Sequence, residues 1–229
     1  MDPIVVCVLK SGEFRGRQYS PDWVRRLQGM VQRHLEIPHR FVCFTDQTIP
    51  GVHCILLDQN LPGWWSKIEM FRWSVSTRLL YLDLDVLVTG PLEPLINYPA
   101  PMALMPAIIT TPKPGMVRRY QSSVMVWTPP EGKEIFESFN PDIMDKFHGD
   151  QDWIGHIKPN CPTFPPTWFC KLSRCHGRQP PNHIKVVLAQ HPMSNDKAAE
   201  KYSWIREVWR EGEPWLSQAC ESNSAGNRP

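Results

Sequence analysis

Apolar residues along this chain come in short blocks separated by proline, glycine and charge, the pattern of strands and helices of ordinary length. Residues 4–9 are all apolar and predict a central strand buried on both faces, which Lys10-Ser11-Gly12 ends in a loop. Ser20 is placed to cap a helix with Pro21 at its first position, and Trp23, Val24, Leu27, Met30, Val31 and Leu35 then recur at helical spacing. Residues 40–45 and 52–57 predict two more strands. A turn at Leu61-Pro62-Gly63 leads into a helix that runs to Trp73, with Ser66 as its cap. The run 79–88 predicts the next strand, followed by a turn at Gly90-Pro91 and a short helix. Beyond it, 102–109 and 121–127 predict strands, 132–139 and 149–157 helices, 185–189 a late strand and 197–210 one amphipathic helix. Residues 113–119 read as a loop with three positive charges, 159–182 as a Pro-, Cys- and aromatic-rich loop packed over a site, and 221–229 as a frayed tail. The strand, helix, strand, strand opening predicts an α/β sandwich with a mainly parallel sheet.

One run breaks its own pattern. Residues 79–88 are apolar except for Asp83 and Asp85. On a strand these two share one face, while Leu82, Leu84 and Val86 share the other. Two ionised carboxylates side by side on a largely buried strand repel each other and lose hydration, a cost that a cation or hydrogen-bond donors must offset. A metal site answers that need. The alternative is a strand end marking the turn before Gly90-Pro91. The acids precede Val86-Leu87-Val88, inside the apolar run, which favours the metal.

Composition narrows the class. The 229 residues are 41% apolar and 21% charged, so the chain is an ordinary globular protein, long enough for one substantial core. Twenty-four prolines fix many loops, and ten tryptophans supply broad apolar or stacking surfaces. A net charge of +2 creates no field that demands nucleic acid or an acidic membrane, and the basic excess in 1–45 is explained by a solvated helix face. No apolar run approaches the roughly 20 residues that span a bilayer, and the N-terminus has no basic leader, so a cytoplasmic location is expected. Seven cysteines, an odd number, fit reduced thiols. Cys161, Cys170, Cys175 and His176 lack the paired spacing of a structural zinc site, although zinc is left open there. No Walker loop, dinucleotide fingerprint or nucleophile elbow is present.

Two further clusters carry chemistry. His191, after the late strand, is followed six residues later by Lys197; imidazole and carboxylate donors together suit Mn²⁺, or Mg²⁺ where oxygens dominate. An exposed loop histidine is the plainer reading. Asp150, Gln151 and Asp152 could face a reacting sugar or stabilise positive charge at its anomeric carbon, or they could simply suit a helix N-terminus.

Taken in order, several of these segments resemble a nucleotide-sugar glycosyltransferase. They are the opening strand through Lys10, Trp65-Ser66-Lys67, Tyr81-Leu82-Asp83-Leu84-Asp85 with Gly90-Pro91-Leu92, Ser122-Ser123-Val124-Met125, Gly149-Asp150-Gln151-Asp152, and His191 with Lys197. The family is the retaining GT-A group that includes glycogenin and bacterial lipopolysaccharide galactosyltransferases, and the match spans about residues 3–200. The resemblance implies a GT-A (Rossmann-like) three-layer α/β/α sandwich with a mainly parallel mixed sheet, a single domain over residues 1–220. It implies that Asp83, Asp85 and His191 hold Mn²⁺ or Mg²⁺ against the diphosphate of a nucleotide-sugar donor, a UDP-sugar first among them. Leu9, Lys10 and Ser11 would contact base and ribose, and Lys67 the sugar or phosphate. Leu84, Ser122 and Ser123 would also meet the donor, Lys197 the leaving diphosphate, and Asp150, Gln151 and Asp152 would serve catalysis. The family's Asn-Ser/Ala-Gly reads Gln121-Ser122-Ser123 here, and Pro192-Met193-Ser194 stand where a glycine is usual. The resemblance also implies a hydroxyl acceptor without identifying it: a glycan, a small molecule or modified DNA. Other readings are a glycosyltransferase acting on hydroxymethylated DNA bases, a nucleotidyltransferase and a non-catalytic carbohydrate-binding protein.

Overall fold

A computed structural model describes residues 1–108, 120–189 and 195–212. In chain order its elements are β1 (Ile4–Leu9), α1 (Pro21–His34), β2 (Arg40–Thr45), β3 (His53–Leu56), a 3₁₀ helix (Gly63–Arg72), β4 (Leu79–Leu82) and β5 (Val86–Val88). Then follow α2 (Glu93–Ile96), β6 (Met102–Pro106), β7 (Tyr120–Trp127), α3 (Lys133–Glu137), α4 (Ile143–Lys146) and α5 (Asp150–Ile157). The last are β8 (Phe169–Lys171), β9 (Val186–Leu188), α6 (Asn195–Lys201) and α7 (Ser203–Val208).

Six strands form one sheet in the order β3-β2-β1-β4-β7-β6. β3, β2, β1 and β4 run parallel, β7 pairs antiparallel to β4, and β6, antiparallel to β7, runs in the same direction as the first four. The unbroken apolar run of β1 is explained by its central place: Val5, Cys7 and Leu9 enter one core cluster, Ile4, Val6 and Val8 the other. The first cluster is closed by α1 through Val24, Leu27, Met30 and Val31. The second is closed by the 3₁₀ helix through Trp65, Ile68, Met70 and Phe71, with Ile135 of α3 and Trp153 and Ile154 of α5. The result is the expected three-layer sandwich with a mainly parallel mixed sheet.

Residues 79–88 are not one strand. β4 stops at Leu82, a turn spans Asp83 to Asp85, and β5 departs to a second sheet ordered β5-β9-β8. The Asp83 amide still bonds the Ser123 carbonyl at 2.9 Å, so the β4–β7 pairing reaches that residue before the chain turns. Leu82, Leu84 and Val86 nevertheless enter one cluster together, as alternation predicts. The departure is driven by burial: all three residues of β5 are fully enclosed between α1 and β9.

Other expectations change in smaller ways. Ser20 occupies the position before α1, but its hydroxyl makes no capping bond. Ser66 lies inside the 3₁₀ helix, its hydroxyl donating back to the Gly63 carbonyl at 2.6 Å, and Pro62 is the residue before that helix. The span 197–210 breaks at Tyr202 into α6 and α7. Residues 159–182 hold β8, and Phe164, Phe169, Leu172 and Cys175 sink into the first cluster. Residues 113–119 and 221–229 lie outside the described residues. Within those described, no helix is long and apolar enough to cross a membrane.

Candidate active site

Parallel strands end at one edge of a sheet, and here β1 and β4 deliver Lys10 and Asp83 to the same edge. A cavity of about 550 Å³ opens there. Its walls come from the loop after β1, the start of the 3₁₀ helix, the turn after β4, the start of β7 and the N-terminal end of α5.

Lys67 stands at the centre of the polar floor, its side chain 11% exposed. Its ammonium lies 2.7 Å from Asp83 Oδ1 and 3.5 Å from Asp150 Oδ2, and donates to Ser122 Oγ at 3.4 Å. Burial alone would lower the lysine pKa; Asp150 and Asp83 outweigh it and hold it above the ordinary value. Burial likewise raises the Asp83 carboxyl, but Lys67 more than offsets this and keeps it below its usual range, helped by the Tyr81 hydroxyl, which donates at 2.6 Å. Asp150 stays raised, because burial exceeds what Lys67 returns. Asp85 is raised by burial and then by the neighbouring Asp83 carboxylate, despite a hydrogen bond from Tyr19 Oη at 2.8 Å and Arg17 at 3.6 Å. Three carboxylates thus face one buried ammonium and one guanidinium, leaving the floor a net negative charge.

Several polar atoms in these walls are sealed from water and make no hydrogen bond: Trp64 Nε1, Gln121 Oε1 and Asp150 Oδ2. Buried polar atoms are rarely left so, and a water, an ion or a polar ligand in the cavity would satisfy them; others in the same state, on Glu69, Arg72, Asn195 and Trp204 among them, lie away from it.

Of the residues expected from sequence, Lys10, Lys67, Asp83, Leu84, Asp85, Ser122, Ser123, Asp150 and Gln151 line this cavity. Four others do not. Leu9 is fully buried in the first core cluster, because alternation along β1 turns it away from the cavity. Ser11 is committed to Asp46, with its amide at 3.0 Å and its hydroxyl at 2.6 Å. Asp152 is not part of the cavity wall, and Lys197 is exposed on α6. His191 lies outside the described residues. No residue of 159–182 lines the cavity, since that segment turns its aromatic residues into the core and not over the site. Cys170 and Cys175 sulfurs are 4.0 Å apart, whereas Cys161 packs against the other cluster, its thiol directed at the Met102 carbonyl.

Neither a family model nor a curated protein sequence matches the chain. Solved structures do. A galactosyltransferase, LgtC, in complex with donor and acceptor sugar analogs, aligns with a TM-score of 0.67 at 12% identity over 90% of this chain and 94% of its own. The chain has the GT-A fold. The same GT-A architecture aligns with the apo glycosyltransferase GlyE of Streptococcus pneumoniae, at a TM-score of 0.56 and 14% identity over 91% of this chain and 63% of that one. Mouse xyloside xylosyltransferase 1 in its apo form aligns at 0.53 and 14%, over 83% and 98%.

Within this GT-A frame the structure brings in residues that sequence reading passed over. Tyr81 could have been found, because it sits two residues before Asp83 and shares its face. Phe14, Arg17 and Tyr19, on the loop after β1, and Trp64, on the 3₁₀ helix, carried no such signal, since only the packing of that loop on that helix sets them against the cavity.

Proposed function

We infer that the protein is a glycosyltransferase that moves a sugar from a nucleoside-diphosphate donor, a UDP-sugar first among candidates, to a hydroxyl acceptor with retention at the anomeric carbon. The observation that carries this reading is Lys67, held charged at the cavity floor between Asp83 and Asp150, in a fold shared with sugar-transferring enzymes. Transfer of the sugar breaks its anomeric C–O bond and releases a nucleoside diphosphate, and a buried, charged ammonium beside the departing oxygens would stabilise their growing negative charge.

The floor also suits a divalent cation. Three carboxylates against two cationic side chains leave a negative charge uncompensated, and the Asp85 carboxyl is raised first by burial and then by the Asp83 carboxylate beside it. Asp83 and Asp85 would hold Mn²⁺ or Mg²⁺, with His191 expected as a further ligand by resemblance. When bound, the ion neutralises diphosphate charge. Ser122, Ser123 and Leu84 would border the donor, and Lys10 its nucleoside end.

Asp150 and Gln151 are the residues we assign beside the sugar. The buried Asp150 carboxylate, whose Oδ2 has only the Lys67 ammonium at 3.5 Å, is suited to offset positive charge at the anomeric carbon. A ligand rich in hydroxyls would also satisfy Gln121 Oε1 and Trp64 Nε1 after small side-chain rotations. Asp152 and Lys197, away from the cavity wall, have no part in this assignment. A cytoplasmic location completes the proposal, in keeping with six described cysteines that are all free thiols.

A thermal-shift panel of nucleotide sugars, run with and without Mn²⁺, tests the reading. At least one UDP-sugar should stabilise the protein in a metal-dependent manner and be turned over slowly to free sugar by water. A panel in which no nucleotide sugar raises the melting temperature sinks it.

A further inference from the structure

The loop between β1 and α1 carries a tight turn. Phe14 and Arg17 exchange backbone bonds, Phe14 N to Arg17 O at 2.8 Å and Arg17 N to Phe14 O at 3.1 Å. Arg15 and Gly16 form the tip, both in the left-handed region at φ +50° and +74°. A non-glycine residue there is disfavoured, so the position of the arginine is not explained by backbone preference.

The side chain of Arg15 is held by aromatic faces. Its guanidinium carbon lies 5.0 Å from the Trp64 ring centroid and 5.5 Å from that of Phe14. Those two rings meet edge to face at 4.6 Å and both border the cavity. Stacking occupies the face of a guanidinium and leaves its N–H edge free, which is the edge that grips an oxyanion with two parallel hydrogen bonds.

Charge pairing separates Arg15 from its neighbours. Lys10 is engaged by Asp46 at 2.5 Å and Arg17 by Asp85 at 3.6 Å. Arg15 pairs with no carboxylate among the described residues, although it lines the same cavity. A preoriented, exposed and unpaired guanidinium at a cavity mouth has the properties of a recognition residue.

We propose that Arg15, stacked on Phe14 and Trp64, is a specificity-determining residue that grips an oxyanion, phosphate or carboxylate, on a substrate in this cavity. The proposal rests on the cavity being the substrate site inferred above. The oxyanion belongs either to the nucleotide or to an acidic acceptor.

Isothermal titration of the full chain separates these sources. Uridine is compared with uridine diphosphate in Mn²⁺ buffer, and glucose with glucose 6-phosphate at saturating uridine diphosphate. Arg15→Ala should weaken one anionic probe by about 10- to 100-fold and leave its neutral counterpart unchanged. Weakening of uridine diphosphate assigns the oxyanion to the donor, and weakening of glucose 6-phosphate assigns it to the acceptor. Arg15→Lys should recover little of the loss, because an ammonium lacks the planar fork. Arg15→Gly relieves the left-handed backbone, so its melting temperature should hold or rise while its affinity falls; a purely structural role predicts the reverse. Wild-type affinity of Arg15→Ala for both anionic probes overturns the proposal, as does a wild-type protein that binds neither better than its neutral counterpart. Arg15-dependent anion binding without any nucleotide-sugar turnover would remove the glycosyltransferase reading and leave this one standing.

Discussion

Lys67 is one buried charge to which the proposed function gives a part in both stability and chemistry. It compensates Asp83 and Asp150 at once, so Lys67→Ala leaves two buried carboxylates without their cation. Removing one partner of such a cluster costs about 3–5 kcal/mol, which urea unfolding should register. Turnover of the donor should fall at least about 100-fold. Lys67→Arg keeps the charge and is expected to restore most of the stability but only part of the rate, which distinguishes the two roles. Asp46 offers a simpler residue-level test. Burial pushes its carboxyl up, but bonds from Lys10 and Ser11 outweigh this and pull it down to about 2 from an ordinary 3.8. A folded pKa below the unfolded one stabilises the protein above the unfolded value, and that stabilisation is lost as pH falls through the folded value. The melting temperature of the wild type should therefore exceed that of Asp46→Asn near neutrality, and the gap should close between about pH 4 and pH 2.

At the scale of elements, the site depends on how the loop after β1 is seated on the 3₁₀ helix. Gly63 opens that helix at φ +50°, and a Cβ there would lie 2.1 Å from the Phe14 ring. Gly63→Ala must displace the Phe14–Trp64 pair, and the strain of overpacking costs roughly 1–3 kcal/mol. The expected outcome is a lowered melting temperature together with faster tryptic cleavage at Arg15 and Arg17, as the turn that carries them lifts away. Unchanged cleavage would mean the loop is held elsewhere. The turn after β4 is the other decisive element. Splitting 79–88 between two sheets sets Asp83 and Asp85 in a bend, where both carboxylates reach one cavity while Leu84 stays in the core.

For the whole molecule, the cavity joins pieces from distant parts of the chain, so a ligand that fills it ties the two core clusters together. Binding at 100 times the dissociation constant adds about 2.7 kcal/mol, which in a domain of this size raises the melting temperature by roughly 5–10 °C. Differential scanning calorimetry with the best nucleotide sugar from the panel should show that rise in the wild type. It should be much smaller in Asp85→Ala, which removes one of the two carboxylates proposed to hold the metal. An equal shift in both proteins would separate donor binding from the paired aspartates.

Local pattern was enough for most of this architecture. The alternation of β1, the amphipathic face of α1 and the apolar blocks of β2, β4 and β7 each follow from which side chains must leave water. The paired acids of Asp83 and Asp85 were legible for the same reason, as charges where burial was otherwise complete. Chain order alone could not show that β4 and β5 part company, because an apolar run reads the same whether it feeds one sheet or two. Nor could it show that Asp152 and Leu9 turn from the cavity while Asp150 and Lys10 enter it, a matter of the phase of a helix and a strand against their neighbours. The contacts of Arg15, Arg17, Tyr19 and Trp64 lie furthest from the sequence. The first three come from a loop without periodicity, and only its packing on the 3₁₀ helix that carries Trp64 gives those side chains a shared wall. Hydrophobic burial is a property of each residue and its near neighbours, whereas a site is a set of distances between segments that only the closed tertiary structure fixes.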